Sequence, residues 1–374
     1  MEPFHVMEVL KAVAERRRTH DDVVLLCVGQ PSTPAPAAVR AAAEQALHAD
    51  VLGYTEAAGT RAFREAVATH YRDRYDLAVP ADEVIVTTGS SGGFLLTLLA
   101  AFDPDDLVAI TRPGYPAYRN DIVATGCRLL ELACGPATRY QPTVSMLESL
   151  PERPAGLVIA SPANPTGTII DGAELAAISA WCAANGVLLI SDEIYHGIGF
   201  GRTTASARQY GRESVVLGSL SKYQSMTGWR VGWLLLPEAL RRPVELLQGN
   251  LAICAPALSQ AAGVAAFGAE ARAELDAHVR RYAANRDLLL ARLPELGITN
   301  VAPPDGAFYA WCDIGHLTDD SQRWCAEALA ATGVALTPGI DFDPVEGHRF
   351  MRLSFCGTGA ELTEGINRLV DWLG

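Results

Sequence analysis

Only two of the 374 residues are lysines, Lys11 and Lys222, against 28 arginines. Arginine serves equally well for solubility, ion pairs and helix-surface charge. Positive charge alone therefore does not account for an amine at position 222, within GSLSKYQSMTGWR (218–230). A guanidinium stays protonated at any workable pH, whereas a lysine amine can be desolvated, deprotonated and made nucleophilic. Only the amine can form a Schiff base with a carbonyl. Lys222 is thus a candidate nucleophile, set against the plainer reading of a stray surface lysine.

Other groups able to do chemistry stand where apolar runs end. VTTGSSGG (86–93) leaves one run and opens a helical pattern, so its backbone N–H groups and helix dipole suit a phosphate. It is neither G-x-G-x-x-G nor a Walker A loop, and a glycine-rich helix start is also plain geometry. SPANPTG (161–167) leaves another run, and by itself it is an Asn-Pro turn. LLISDEIY (188–195) ends a third run with Asp192, where an aspartate often serves as an N-cap.

These loops need elements to position them. EVIVTT, LVAI, GLVIAS, VLLIS, VVLGS and VGWLLL have the length and composition of buried strands. Between them lie helical patterns at 91–102, 115–125, 171–185 and 237–248. Such alternation predicts an α/β fold with a mostly parallel central sheet and helices on both faces. Ligands of such sheets bind beyond the carboxyl ends of the strands. From residue 268 the pattern changes to a long charged helix, AFYAWCDI, a helix near 318–331, a strand at FMRLSF and a final helix, which together predict a smaller α+β domain. The first 30 residues have no unit of their own and are expected to pack against that domain or a partner. The division is therefore 31–267 as the large domain, with 1–30 and 268–374 forming the arm and the small domain.

Bulk properties exclude several classes. A net charge of −13 argues against nucleic acid, whose binding rests on clustered cations. The only basic run, Arg16-Arg17-Arg18, is expected on a solvated helix face. The eight cysteines form no C-x-x-C pair and no Cys/His cluster with zinc spacing, so no metal site is expected, and they suit a reducing compartment. The N-terminus lacks a signal-peptide layout and no apolar run is long enough to span a membrane. The expected location is the cytoplasm.

Taken in order along nearly the whole chain, from LLCVGQPSTPAP to FMRLSFC, these pieces resemble the class I/II aminotransferases of fold type I, which use pyridoxal 5′-phosphate (PLP). The resemblance rests on S-x-S-K with an arginine eight residues after the lysine, N-P-x-G, D-x-x-Y, MTGWRVGW and DGAFYAW. PFHVMEVL, TTGSSGGF, PGYPAYRN and TPGIDFD look like an actinobacterial group of aspartate or valine–pyruvate aminotransferases.

The resemblance implies roles that the chemistry of each residue type suits. Lys222 would hold PLP and, once displaced by substrate, shuttle the proton at Cα. Asp192 would keep the pyridine nitrogen protonated, making the ring an electron sink. Tyr195 and Asn164 would hydrogen-bond the ring's phenolic oxygen, and Tyr115 would stack on the ring. Ser90, Ser91, Ser219 and Arg230 would hold the phosphate, the arginine through a bidentate contact. Tyr54, in LGYTEAAGT, would reach the phosphate of a neighbouring subunit, which implies a homodimer with shared sites. Arg352 would clamp the substrate α-carboxylate, with the backbone of Gly29 against the same group. Tyr115 and Asn164 would also meet the substrate. An unpaired guanidinium mid-strand is costly, so Arg352 is expected to have an anionic partner.

One departure bears on substrate. Position 91 is serine where several aspartate-using relatives carry a lysine. Together with the apolar arm residues Phe4, Val6 and Met7, this makes a neutral aliphatic donor of the alanine or valine kind at least as good as aspartate, which stays open as a donor. The expected activity is a ping-pong transamination between an L-amino acid and a 2-oxo acid. C–S β-lyases and cyclising synthases of fold type I share the same lysine, aspartate and arginine, and remain the alternative. A PLP-binding regulator would need room for a DNA-binding segment, and a nicotinamide oxidoreductase would leave Lys222 without a task.

Overall fold

The six apolar runs stand side by side, with one further strand, in a single sheet of seven. The computed structural model describes residues 5–374, so Phe4 lies outside the described residues. A short strand β1 (Val24–Leu25) precedes the sheet. The sheet comprises β2 (Val84–Thr87), β3 (Leu107–Arg112), β4 (Arg128–Ala133), β5 (Gly156–Ala160), β6 (Leu188–Asp192), β7 (Val215–Ser219) and β8 (Gly232–Leu235). Their spatial order is β2-β8-β7-β6-β5-β3-β4. Pairings from β4 through β7 are parallel, and β8 runs antiparallel between β7 and β2.

Five helices concern the site: α1 (His5–Arg16), α2 (Ala37–Ala49), α3 (Arg61–Tyr75), α4 (Gly89–Ala101) and α5 (Pro116–Ala124). The other two expected helices form at Gly172–Asn185 and Glu238–Leu251. Strand side chains alternate between faces, and β2 shows the result. Val84 and Val86 pack with Phe63 and Val67 of α3, while Ile85 packs with Phe94 and Leu98 of α4 on the opposite face. Strand β4 has no counterpart among the expected strands. It is an edge strand whose Arg128 and Glu131 interrupt the apolar run, and Glu131 pairs with Arg119 of α5 at 2.9 Å.

The C-terminal part forms a second assembly. Strands β9 (Tyr309–Asp313), β11 (Thr337–Pro338) and β12 (Phe350–Ser354) make an antiparallel sheet in the order β11-β12-β9. Strand β10 (Val334–Ala335) pairs in parallel with β1. Val13 of α1 packs with Cys27, Leu329 and Ala335. The basic run is not merely a solvated decoration. Arg16 donates from Nε and Nη2 to the Asp22 carboxylate at 2.9 and 2.5 Å, and from Nη1 to the Ala330 carbonyl at 2.8 Å. Only Arg17 and Arg18 are exposed. All eight cysteines are free. Among the described residues, no helix is long and apolar enough to cross a membrane.

Candidate active site

The register of the parallel strands sets Asp192 beside Ala160 of β5 and Leu217 of β7 at their carboxyl ends. A cavity of about 270 Å³ opens there. Its floor is made by these strand ends and the loops that follow, and helix α1 roofs it with Val6, Met7 and Leu10. The structure brings Lys222, Asp192, Tyr195, Asn164, Tyr115, Ser90, Ser91, Arg230, Gly29 and Arg352 to this one cavity.

Lys222 follows β7 in a loop that holds two non-glycine residues in the left-handed region, Ser225 at φ 55° and Arg230 at φ 53°. Such conformations cost on the order of 1 kcal/mol each and persist where packing imposes them. Here they turn the loop so that both Lys222 and Arg230 reach the cavity. Lys222 Nζ donates to the Gly29 carbonyl at 2.7 Å. A Cβ on Gly29 would collide with the Tyr309 hydroxyl, so only glycine lets this backbone approach so closely. Enclosure of the amine lowers its pKa to about 8, with the nearby Arg352 charge acting the same way.

Asp192 is buried and is held by the Tyr118 hydroxyl, which donates to Oδ2, and by the Ile194 N–H, which donates to Oδ1 at 3.1 Å. Burial raises its pKa to about 6 against the opposing pull of those two donors and Lys222. The Tyr195 and Tyr309 hydroxyls share a 2.7 Å hydrogen bond.

Arg352 departs from expectation. It is 3% exposed, and among the described residues it has no ion pair with a carboxylate. Its Nη1 donates to Asn164 Oδ1 at 2.8 Å and its Nη2 to the Cys27 carbonyl at 2.7 Å. The guanidinium lies 4.4 Å from the Tyr309 ring centroid and 4.7 Å from that of Phe342. Neutral oxygens and two aromatic faces thus carry the charge, while the buried Nε has no partner. A donor left unmet in such a place is ready for an incoming carboxylate.

At the other end, the first turn of α4 leaves unpaired N–H groups, and Ser90 and Ser91 stand in it. A Cβ on Gly89 would collide with the Arg230 guanidinium, so the missing side chain lets that cation lie against the helix start. Arg230 Nη1 also donates to the Thr227 carbonyl at 3.0 Å. Two expected residues are not on the cavity wall. Ser219 is buried behind it, donating to Ser221 Oγ at 2.9 Å, and Ser221 lines the cavity instead. Tyr54 is 83% exposed on the outer surface.

Sequence reasoning missed Tyr118, Tyr309, Thr227 and Asp121, all of which line the cavity. A signal existed for Tyr118, which falls three residues after Tyr115, the residue that caps α5, and so lies one turn further along. Tyr309 lies within DGAFYAW, but nothing in that motif points to Tyr195. The residues fit PLP. A lysine amine without a carboxylate partner, a buried carboxylate and a cationic helix start match its aldehyde, pyridine and phosphate, and the orphaned Arg352 Nε suits the substrate carboxylate.

Comparisons with known proteins agree with this geometry. The family model "Aminotransferase class I and II" matches residues 21–369. The valine–pyruvate aminotransferase of Mycobacterium tuberculosis is 52% identical over 373 residues, which cover 99% of this chain and 96% of that protein. The crystal structure of an aminotransferase from Mycobacterium tuberculosis gives a TM-score of 0.98 at 52% identity, over 100% of this chain and 97% of that one. Aspartate aminotransferase from Thermus thermophilus with maleate gives 0.93 at 29% identity, over 99% and 97% of the two chains.

Proposed function

Because this chain belongs to the class I and II aminotransferases, PLP-dependent enzymes that pass an amino group from an amino acid to a 2-oxo acid, we propose that its donor is a neutral aliphatic L-amino acid such as valine or alanine. One observation carries this reading. Among the described residues the cations lining the cavity are Lys222, Arg230 and Arg352, and the cofactor and one substrate carboxylate would engage all three. None remains for a second substrate carboxylate. The half-buried Asp121 adds negative charge to the same wall, and Val6, Met7, Leu10 and Val28 make it apolar. The name of the 52% identical relative supports the same donor.

In the proposed mechanism, bound PLP supplies an electron sink for the charge left when a proton leaves Cα. Lys222 Nζ takes that proton and returns it. With a pKa near 8, a useful fraction of the amine is free base close to neutral pH. Asp192 would keep the ring nitrogen of the bound cofactor protonated. Arg352 binds the α-carboxylate through the side of its guanidinium that bears Nε, and Asn164 steers it from Nη1. The Tyr195–Tyr309 pair offers a hydroxyl to the ring oxygen. Ser90, Ser91, Ser221, Thr227 and Arg230 would hold the phosphate, with Ser219 supporting Ser221. Gly29 supplies the carbonyl on which the free amine rests. The roof helix excludes water.

The donor is tested by kcat/KM for the first half-reaction with alanine, valine, aspartate and glutamate. Valine or alanine should match or exceed both dicarboxylates. A preference for either dicarboxylate above about tenfold, roughly 1.4 kcal/mol, would reveal a second carboxylate clamp and reject the reading.

The reading extends to assembly. Val51 and Tyr54 are 97% and 83% exposed, and their loop is tied at Thr55 to Cys254 and Gln260, next to the exposed Leu251 and Ile253. An apolar surface of this kind suits a second copy of the chain, with Tyr54 completing the partner's phosphate site. Tyr54→Ala and Lys222→Ala chains, each inactive, should then regain activity when refolded together, because mixed dimers hold one site free of both lesions. Proven heterodimers without recovered activity would place Tyr54 elsewhere. The same reading takes 31–267 as the cofactor-binding domain, 1–30 with 268–374 as the unit beside it, and the cytoplasm as the location.

A further inference from the structure

Helix α1 is held over the cavity by a residue from the far end of the chain. Asp341, 2% exposed, accepts the His5 N–H on Oδ1 at 2.9 Å and the Val6 N–H on Oδ2 at 3.0 Å. An aspartate on the first amides of a helix both satisfies orphan donors and opposes the positive end of the dipole. Such caps are normally adjacent in sequence, whereas this one is 336 residues away. The same short turn touches the site twice more. The Phe342 carbonyl accepts the Gly114 N–H at 3.0 Å, beside Tyr115, and the Phe342 ring lies against Arg352. One turn therefore joins the roof, the ring-stacking tyrosine and the guanidinium beneath them.

We infer that Asp341 is a positioning residue for substrate: its carboxylate anchors α1, and through Val6, Met7 and Leu10 it sets the apolar wall that the donor's side chain meets. The inference rests on the aliphatic-donor reading above. Asp341 touches neither substrate nor cofactor and acts through the helix. Its loss weakens the wall without removing any group that handles the proton. The contribution of an apolar wall scales with the area it covers, so valine should feel the loss more than alanine.

The scarcity of lysine supplies a direct test. A lysine-specific endoprotease has two sites in the chain, the exposed Lys11 on α1 and Lys222 inside the cavity. Cleavage at Lys11 requires α1 to open locally, so its rate reports the population of the open helix. In the PLP-loaded enzyme, Asp341→Asn, which leaves one acceptor for two N–H donors, should speed cleavage at Lys11 about fivefold, the size of one lost hydrogen bond, and Asp341→Ala more. Saturating valine should slow cleavage in the parent. The KM for valine should rise by a similar factor, with kcat and the KM for alanine within about twofold of the parent. Unchanged cleavage in Asp341→Asn overturns the anchor, as does an equal rise in KM for both donors. Should Asp341→Ala fail to fold, the near-isosteric asparagine decides the matter. If the parent prefers dicarboxylates, the donor reading fails by itself, and the cleavage rates still decide the anchor.

Discussion

Lys222→Arg should abolish amino-group exchange as completely as Lys222→Ala, a loss on the order of 10⁴-fold or more in the half-reaction. The charge is preserved, and the neighbours that lower the lysine pKa, Arg352 among them, remain in place. What disappears is a group that can exist as a free base near neutral pH. In the parent, borohydride should fix the cofactor to the chain, and the rate of cofactor capture by the cofactor-free protein should rise with pH through about 8 instead of the ordinary 10.5. That direction follows from the sign of the shift. A lowered pKa releases the proton earlier as pH rises, so the nucleophilic form accumulates earlier. Covalent capture of cofactor by either variant, or a half-reaction within tenfold of the parent, would reject the assignment of Lys222.

Asp192→Asn should keep PLP bound and slow the half-reaction by a hundredfold or more, several kcal/mol of transition-state stabilisation. The surroundings of Asp192 explain why the loss is specific. The Tyr118 hydroxyl and the Ile194 N–H already donate to its two oxygens. An asparagine amide would turn one acceptor into a donor facing one of those donors, and it cannot hold a proton against the ring nitrogen. Measuring cofactor retention and single-turnover deprotonation separately distinguishes the two functions. A near-normal deprotonation rate would leave Asp192 a turn residue only, capping the Ile194 amide.

Much of this architecture is legible in the sequence for a physical reason. Parallel strands covered on both faces must be apolar throughout, so GLVIA and LLISD announce themselves. Edge strand β4 does not, because an edge tolerates Arg128 and Glu131. At the site, Lys222 stands out in the sequence by its type alone, and the fold brings it to the same cavity as Arg352. Residues that act through a distant partner do not stand out in this way. Tyr118 is one tyrosine among several until the fold brings Asp192 to it from 74 residues away. The environment of Arg352 was misjudged for the same reason. A strand position suggests desolvation, but only the assembled fold shows that Tyr309 and Phe342 flank the charge and that Asn164 and the Cys27 carbonyl meet its hydrogens. Ser219 and Ser221 differ only in which way each hydroxyl points, and alternation along a strand end does not settle that.

The cap on α1 also imposes an order in time. During synthesis the roof helix emerges well before its anchor, which follows 336 residues later. At about 5–20 residues per second, that separation amounts to roughly 15 to 70 s. Strand β1 waits nearly as long for β10. Through that interval Val9, Leu10 and Val13 have no Leu329 or Ala335 to pack against, and a helix of 12 residues is marginal in water by itself. All seven strands of the sheet end by residue 235 and the clusters covering its faces reach only to Phe267, so it can assemble meanwhile. The roof helix is therefore among the last of these elements to take its place, and a nascent chain carries it as an unsatisfied apolar segment until Asp341 has emerged.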